Sequence, residues 1–379
     1  MTAAVDLSWS DSVEELRKAL RACLGRPYHR AWGMPAGFYT SPEFMAFEVE
    51  ALFRKEWVCV GRAEEAVGPG DYWTIDLLGE PLLVLRAEDG RLRVFSNVCR
   101  HRGMPVANGS GTAKQFQCPY HAWTYDLSGR LVRAPHIDGR EDFDRSSCGL
   151  PGVATEEWHG FLFVNLDGKA SALAPRLEGL EPLVRNYHMG EMTLGHCETE
   201  SWETNWKCLT ENFMEGYHLS HVHYETLHPI TPTRLCGHFP AGEGYLGYYS
   251  GFPAELAERG RYHPDLTEAE RGRSVMFAIM PGLVAGVSGH ITTFICLQPE
   301  SADRVRGKRG IIFGDPDIEQ SERRAVVDLF ERTMAEDKVQ LVNLRRGLES
   351  HSYRPGPLGP VDVEGTVWDF YQYMARRLG

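Results

Sequence analysis

Apolar and polar positions recur with different periods along the chain, and each period predicts a type of element. After Ser41-Pro42-Glu43, a helix start, the residues Phe44, Phe47, Leu52, Phe53 and Trp57 form an apolar stripe at near-helical spacing, which predicts a helix over 41–57. From Asp71 to Asn97 the texture changes to short runs rich in Val, Leu, Ile and Tyr. These are broken by Leu78-Gly79-Glu80-Pro81 and Glu88-Asp89-Gly90, and read as strands joined by turns. The same texture continues through Asp126-Leu127-Ser128-Gly129 to Phe161-Leu162-Phe163-Val164-Asn165, and the small, polar run Asp167 to Ala172 looks like a connection between domains. Beyond it, Trp206, Leu209, Phe213 and Tyr217 stand at i, i+3, i+7 and i+11, predicting a helix that ends before Pro229. Strand-like runs follow at Ser274 to Met280, His290 to Gln298 and Arg309 to Phe313, and a long helical pattern fills about 317–350. The chain therefore reads as α+β. An antiparallel β domain spans 45–165, an α+β domain spans 166–379, and a segment 1–44 precedes them and is expected to pack on the second domain.

Composition narrows the function. A chain of 379 residues, 42% hydrophobic, is long enough for about two domains with real cores. A formal charge of -12 has the wrong sign for a phosphate backbone, so nucleic acid is not an expected partner. The longest nearly uncharged apolar run, Val275 to Val287, is shorter than the roughly 20 residues that span a bilayer, so no membrane partner is expected either. Met1 to Ser12 has neither a basic start nor an apolar core, and the expected compartment is the cytoplasm. Nine cysteines, an odd number in a reducing compartment, argue against a disulfide framework and turn attention to metal chemistry.

Two short motifs carry that chemistry: Cys99-Arg100-His101 and, after sixteen residues, Cys118-Pro119-Tyr120-His121. Two cysteines and two histidines suit a tetrahedral zinc by ligand type. In zinc fingers, however, the cysteines pair with each other and the histidines likewise, whereas here each loop supplies one of each. Mixed loops suit a Rieske [2Fe–2S] centre, in which two cysteines hold one iron and two histidines the other. Farther on, Glu215-Gly216-Tyr217-His218-Leu219-Ser220-His221-Val222-His223 is dense in metal-binding side chains, with His228 close behind. Two imidazoles and one carboxylate make the facial triad of Fe(II) oxygenases. Helix geometry alone would pair His218 with His221.

At these residues, with the flanking Arg102-Gly103 and Ala122-Trp123-Thr124-Tyr125, the chain resembles the Rieske-type non-haem iron oxygenases over nearly its whole length. The resemblance implies a helix-grip-like catalytic domain behind the cluster domain. It implies Cys99 and Cys118 on the inner iron of the cluster, and His101 and His121 on the outer one. Its second motif, an acid, two residues, His, four residues, His, falls on Glu215, His218 and His223, leaving His221 as a surface or supporting histidine. It places the third iron ligand on a late helix, where Met334-Ala335-Glu336-Asp337 makes Asp337 the ligand and Glu336 its competitor. An acid at Glu215 is implied to bridge a cluster histidine of one subunit to an iron histidine of the next, in a homotrimer. Glu rather than Asp there resembles the carnitine, choline and glycine betaine oxygenases. The implied reaction consumes O2 and hydroxylates or N-demethylates a small quaternary ammonium substrate, with aromatic hydroxylation as the alternative. A pure electron carrier would need only the first domain.

Two further signals bear on the reading. Gly242-Glu243-Gly244-Tyr245-Leu246-Gly247 fits G-x-G-x-x-G, but it follows Pro240 and leads into Tyr248-Tyr249, so it reads as a loop and not a nucleotide site. Electrons from NAD(P)H must then arrive through a separate reductase. Aromatic residues crowd the second motif (Trp202, Trp206, Phe213, Tyr217, Tyr224, Phe239, Tyr245, Tyr248, Tyr249 and Phe252), mostly as core, with a few available for a cation–π box or a flat aromatic pocket.

Overall fold

The computed structural model describes residues 12–137, 140–258 and 260–379. It divides into two compact units, one of residues up to Arg54 together with Leu173–Gly379, the other Lys55–Ala172. The helix expected over 41–57 is shorter: it runs Pro42–Glu48, with Ser41 Oγ capping Phe44 N, and continues as a π-helical turn Val49–Phe53. Its apolar stripe decides which unit it joins. Phe53 is wholly buried and meets the Trp206 ring edge-on at 4.9 Å between centroids, so residues 45–54, grouped above with the strands, fall in the other unit.

Unit Lys55–Ala172 is built on an antiparallel seven-stranded sheet, ordered Val58–Arg62, Phe161–Asn165, Gly152–Trp158, Leu92–Ser96, Glu80–Arg86, Asp71–Leu77 and Ser110–Thr112. A second sheet of Gln115–Gln117, Thr124–Asp126 and Leu131–Arg133 stands beside it. Leu83, Leu85, Phe95, Phe116, Trp123 and Tyr125 are buried in one core with Cys99 and Cys118.

In the larger unit we number the strands β1 (Thr193–Trp202), β2 (Cys236–His238), β3 (Tyr245–Gly251), β4 (Arg273–Ile279), β5 (Leu283–Ser288), β6 (Ile291–Ser301) and β7 (Arg304–Phe313). They form one antiparallel sheet, ordered β1-β7-β6-β5-β4-β3-β2, so all neighbours but β1 and β7 follow each other in the chain. Three helices matter for the site: α1 (Trp206–Phe213), α2 (Gln320–Leu348) and α3 (Val361–Leu378). Helix α1 starts where Asn205 Oδ1 accepts from Lys207 N at 2.9 Å. It ends at Phe213, earlier than the apolar stripe predicts, and Tyr217, the last member of that stripe, is 51% exposed. The glycine-rich run reaches a strand and no helix, since Tyr245 opens β3. Among the described residues no helix is long and apolar enough to cross a membrane.

Candidate metal centres and substrate cavity

The four residues Cys99, His101, Cys118 and His121 come together on two facing loops. Each loop is closed by its own backbone: Cys99 N donates to Met104 O (2.9 Å) and Gly103 N to Cys99 O (2.9 Å), while Cys118 N donates to Trp123 O (2.8 Å) and Ala122 N to Cys118 O (3.0 Å). Gly103 sits at φ +79, in the left-handed region where other residues are strained, which is why glycine follows Arg102. Both cysteines are 2% exposed, whereas His121 lies on the surface, a gradient that suits an inner and an outer iron. The imidazoles of His101 and His121 are 4.6 Å apart between centroids, and His101 stacks on Trp123 at 4.9 Å and 9°. His101 Nδ1 is buried with no hydrogen-bond partner, an arrangement that is costly unless a metal takes its lone pair. Sequence reasoning gave Tyr125 no task of its own. Its buried hydroxyl lies 3.2 Å from Cys99 Sγ and accepts from Arg100 N at 3.0 Å, and burial, reinforced by Cys99, holds the phenol protonated.

The second site is assembled from an irregular segment and a helix. Beyond α1 the chain turns through 215–230 without a regular helix, held by Gly216 N donating to Val363 O (2.9 Å). A Cβ at Gly216 would stand 2.3 Å from Cys236 Sγ, so only glycine lets this segment approach β2. From it, His218 and His223 turn their Nε2 atoms toward Asp337 Oδ1, at 3.6 and 3.1 Å. One ligand atom from each of the three lies within 4.8 Å of the others. Asp337 comes from the buried stripe of α2 (Phe330, Thr333, Met334, Asp337, Leu341), and is itself 6% exposed. Asp337 was favoured over its neighbour in the sequence by the family resemblance alone.

Each member of the triad has a hydrogen-bond partner outside it. Asn212 Nδ2 donates to Asp337 Oδ1 at 3.1 Å. His218 Nδ1 is hydrogen-bonded to Glu215 Oε1, whose other oxygen accepts from the Tyr217 and His218 amides. Burial opposes the imidazolium of His218, but the Glu215 and Asp337 carboxylates outweigh it and raise its pKa. His223 Nδ1 is bonded to Glu336 Oε2 at 2.7 Å, and the same oxygen accepts from Thr226 Oγ1 at 2.6 Å. Glu336 is thus no rival of Asp337: it reaches round to the far side of His223. Each carboxylate accepts a hydrogen bond from an Nδ1–H, which leaves Nε2 with its lone pair facing inward, the tautomer a metal requires. His223 Nε2 is buried without a hydrogen bond, so the donor set fits a divalent iron. His221 is exposed and apart from this set, and His228 bonds Ser220 through Nδ1. Asn212 and Thr226 carried no signal in the sequence, because an amide and a hydroxyl can serve anywhere.

The triad forms part of the wall of a cavity of about 230 Å³ between the sheet and α2. Of the aromatic residues singled out above, Phe213, Tyr248 and Phe252 line it, joined by Phe330. The rest do not.

Known families match the chain in both units. Residues 56–144 match the Rieske [2Fe-2S] domain, and 187–379 match the ring hydroxylating alpha subunit (catalytic domain). The chain belongs to the Rieske-type ring-hydroxylating oxygenases, oxidoreductases that carry a [2Fe–2S] cluster and a mononuclear iron. It is 31% identical to the carnitine monooxygenase oxygenase subunit of Acinetobacter baumannii over 334 residues, 86% of this chain and 87% of that one. It is 36% identical to the glycine betaine monooxygenase oxygenase subunit of Chromohalobacter salexigens over 198 residues, 52% of this chain and 44% of that one. Among solved structures, the quaternary ammonium Rieske monooxygenase CntA superposes with TM-score 0.83 at 26% identity, covering 96% of this chain and 98% of the other. Naphthalene 1,2-dioxygenase from Rhodococcus sp. shares the fold, with TM-score 0.81 at 20% identity over 96% of this chain and 98% of the other.

Proposed function

We propose that this chain is the oxygenase component of a multicomponent monooxygenase that oxidises a small methylated ammonium compound at or beside an N-methyl group. The observation that carries this is the triad His218, His223 and Asp337 opening onto a compact, largely apolar cavity with four aromatic side chains. Cation–π attraction suits a weakly hydrated quaternary ammonium. The relatives that act on carnitine and glycine betaine add to this reading.

In this proposal unit Lys55–Ala172 holds the cluster through Cys99, Cys118, His101 and His121, and the larger unit holds iron through His218, His223 and Asp337. Bound there, iron supplies O2 activation with electrons delivered through the cluster from a separate NAD(P)H-dependent reductase. Everything else is done by the chain. Asn212 and Glu336 fix the orientation of Asp337 and His223. The apolar wall excludes water and presents one C–H bond of the substrate to the iron side, a positioning effect. A substrate hydroxylated on the carbon beside nitrogen then loses that carbon as an aldehyde: the hydroxyl gives its proton to solvent as the C=O forms, the C–N bond breaks and nitrogen keeps that electron pair.

Glu215 is proposed as the electron bridge. It already fixes His218, and in a homotrimer its carboxylate would also accept from a cluster histidine of the neighbouring subunit. The compartment we propose is the cytoplasm. Iron near three per chain, a Rieske EPR signal, and NADH-dependent O2 uptake with a surrogate reductase, screened over betaines, choline and aromatic acids, test the reading. Uptake with aromatic acids alone would overturn the ammonium assignment.

A further inference from the structure

Charge is distributed unusually along the cavity wall. Apart from His218, His223 and Asp337, the lining has no charged side chain, and no lysine or arginine. Three cations of this unit have partners of their own. Arg273, next to Ser274, lies over the Tyr249 ring at 3.6 Å, and Lys207 is paired with Glu48 at 2.7 Å. Arg309 is paired with Glu198 at 3.0 Å and Glu331 at 2.7 Å.

In place of a cation the sheet offers hydroxyls. Ser250 on β3 is directly opposite Ser274 on β4, and the β4–β5 register set by Val275 and Val287 brings Ser288 opposite Ser274 in turn. All three face the cavity, on adjacent strands about 4.8 Å apart. Two residues along the strands runs a second row, Tyr248, Met276, Gly286 and Thr293. A Cβ at Gly286 would stand 2.6 Å from Met276 Sδ, so glycine there makes room for the Met276 side chain. Ser250 is bonded to Thr231, but Ser274, Ser288 and Thr293 have no hydrogen-bond partner among the described residues.

Resting on the oxygenase reading above, we propose that the cavity selects a methylated ammonium with an uncharged hydrogen-bonding tail, an alcohol, ester or amide, and discriminates against a carboxylate tail. Hydroxyls can both donate to and accept from a neutral polar group. With the ammonium end held at the iron, a carboxylate tail would be desolvated here with no lysine or arginine to pair it, and hydroxyl bonds offset only part of that cost. The ammonium end meets Phe213, Tyr248, Phe252 and Phe330. A net charge of -12 also draws cations, and not anions, toward the protein.

The test uses matched pairs: choline against glycine betaine, and 4-trimethylammoniobutan-1-ol against γ-butyrobetaine. Binding is measured by calorimetry on the iron-loaded protein, with coupled O2 uptake alongside. The alcohol of each pair should bind at least about tenfold tighter. Ser274→Ala combined with Ser288→Ala should weaken the alcohols severalfold and leave tetramethylammonium, which has no tail, unchanged. Ser288→Lys should improve the carboxylates. Equal or tighter carboxylate binding by the unaltered protein overturns the proposal while leaving the ammonium reading standing. If neither member of either pair binds and a neutral aromatic of similar size does, the ammonium reading itself falls, and the tail preference with it.

Discussion

Glu336→Ala isolates what a carboxylate can do for a metal it does not touch. His223 is 1% exposed, and its Nδ1 has one partner, Glu336 Oε2 at 2.7 Å. Without that acceptor the Nδ1 proton is buried unpaired, the ring can take its other tautomer or turn, and Nε2 loses basicity. Losing such an outer partner costs about 10- to 100-fold in metal affinity, or about 1.4 to 2.7 kcal/mol. Thr226, 2% exposed, loses its acceptor as well, which costs roughly 1 kcal/mol of stability. The assay is anaerobic competition for Fe(II) against a coloured chelator, with the Rieske absorption recorded in the same sample. Affinity should fall while the cluster spectrum stays, and Glu336→Gln, which keeps one acceptor oxygen, should fall less. An alanine variant with unchanged affinity would refute the argument, as would one that loses the cluster too, since that would mean general unfolding.

Three other outcomes follow from the same geometry. His101→Ala should abolish the Rieske absorption and EPR signal, because it removes the orphaned Nδ1 that we propose as a cluster ligand. Glu215→Gln should leave iron content normal but slow cluster reoxidation in single turnover by about tenfold or more, since the charge that orients the His218 ring is gone. Glu211 is half-buried, and desolvation, only partly opposed by the Tyr39 hydroxyl and Lys207, raises its pKa to about 8. Between the unfolded value of 4.5 and about 8 the native state therefore binds more protons than the unfolded one, and stability falls as pH rises through that window. Glu211→Gln should flatten the fall in melting temperature measured from pH 5 to pH 8, with a gain at the upper end worth on the order of 4 kcal/mol at most.

The strand texture of the smaller unit, strands β4, β6 and β7 and the long helix α2 were legible from their apolar runs and periods, whereas β1, β2 and β5 gave no such signal and the glycine-rich run read as a loop enters β3 at Tyr245. Cys99, His101, Cys118 and His121 were legible because four soft ligands at fixed spacing have few other uses. The second site was readable only in part. Helical spacing from Trp206 carried on past Phe213, yet the chain abandons the helix there, because Gly216 must close on Cys236 and its amide is taken by Val363 O. Periodicity cannot register a contact made with a segment so far along the chain. The same limit explains Glu336. Adjacent positions point about 100° apart on a helix, which separates two ligands of one ion but does not stop a long side chain from reaching the outer face of a histidine. The cavity's serine row was invisible too, since hydroxyls on separate strands align only once the register is known.

The two metal centres differ in how much chain each must wait for. The proposed cluster ligands all fall between residues 99 and 121, inside one unit. The iron site needs an irregular segment near residue 220 and a helix whose Glu336 stands 113 residues beyond His223. A ribosome finishes the first set of ligands long before it makes the last member of the second. Cluster insertion can therefore accompany synthesis, whereas mononuclear iron has to be acquired by the completed chain. Any lesion that loosens α2 during the protein's lifetime should release iron first and leave a coloured, electron-accepting but idle protein behind.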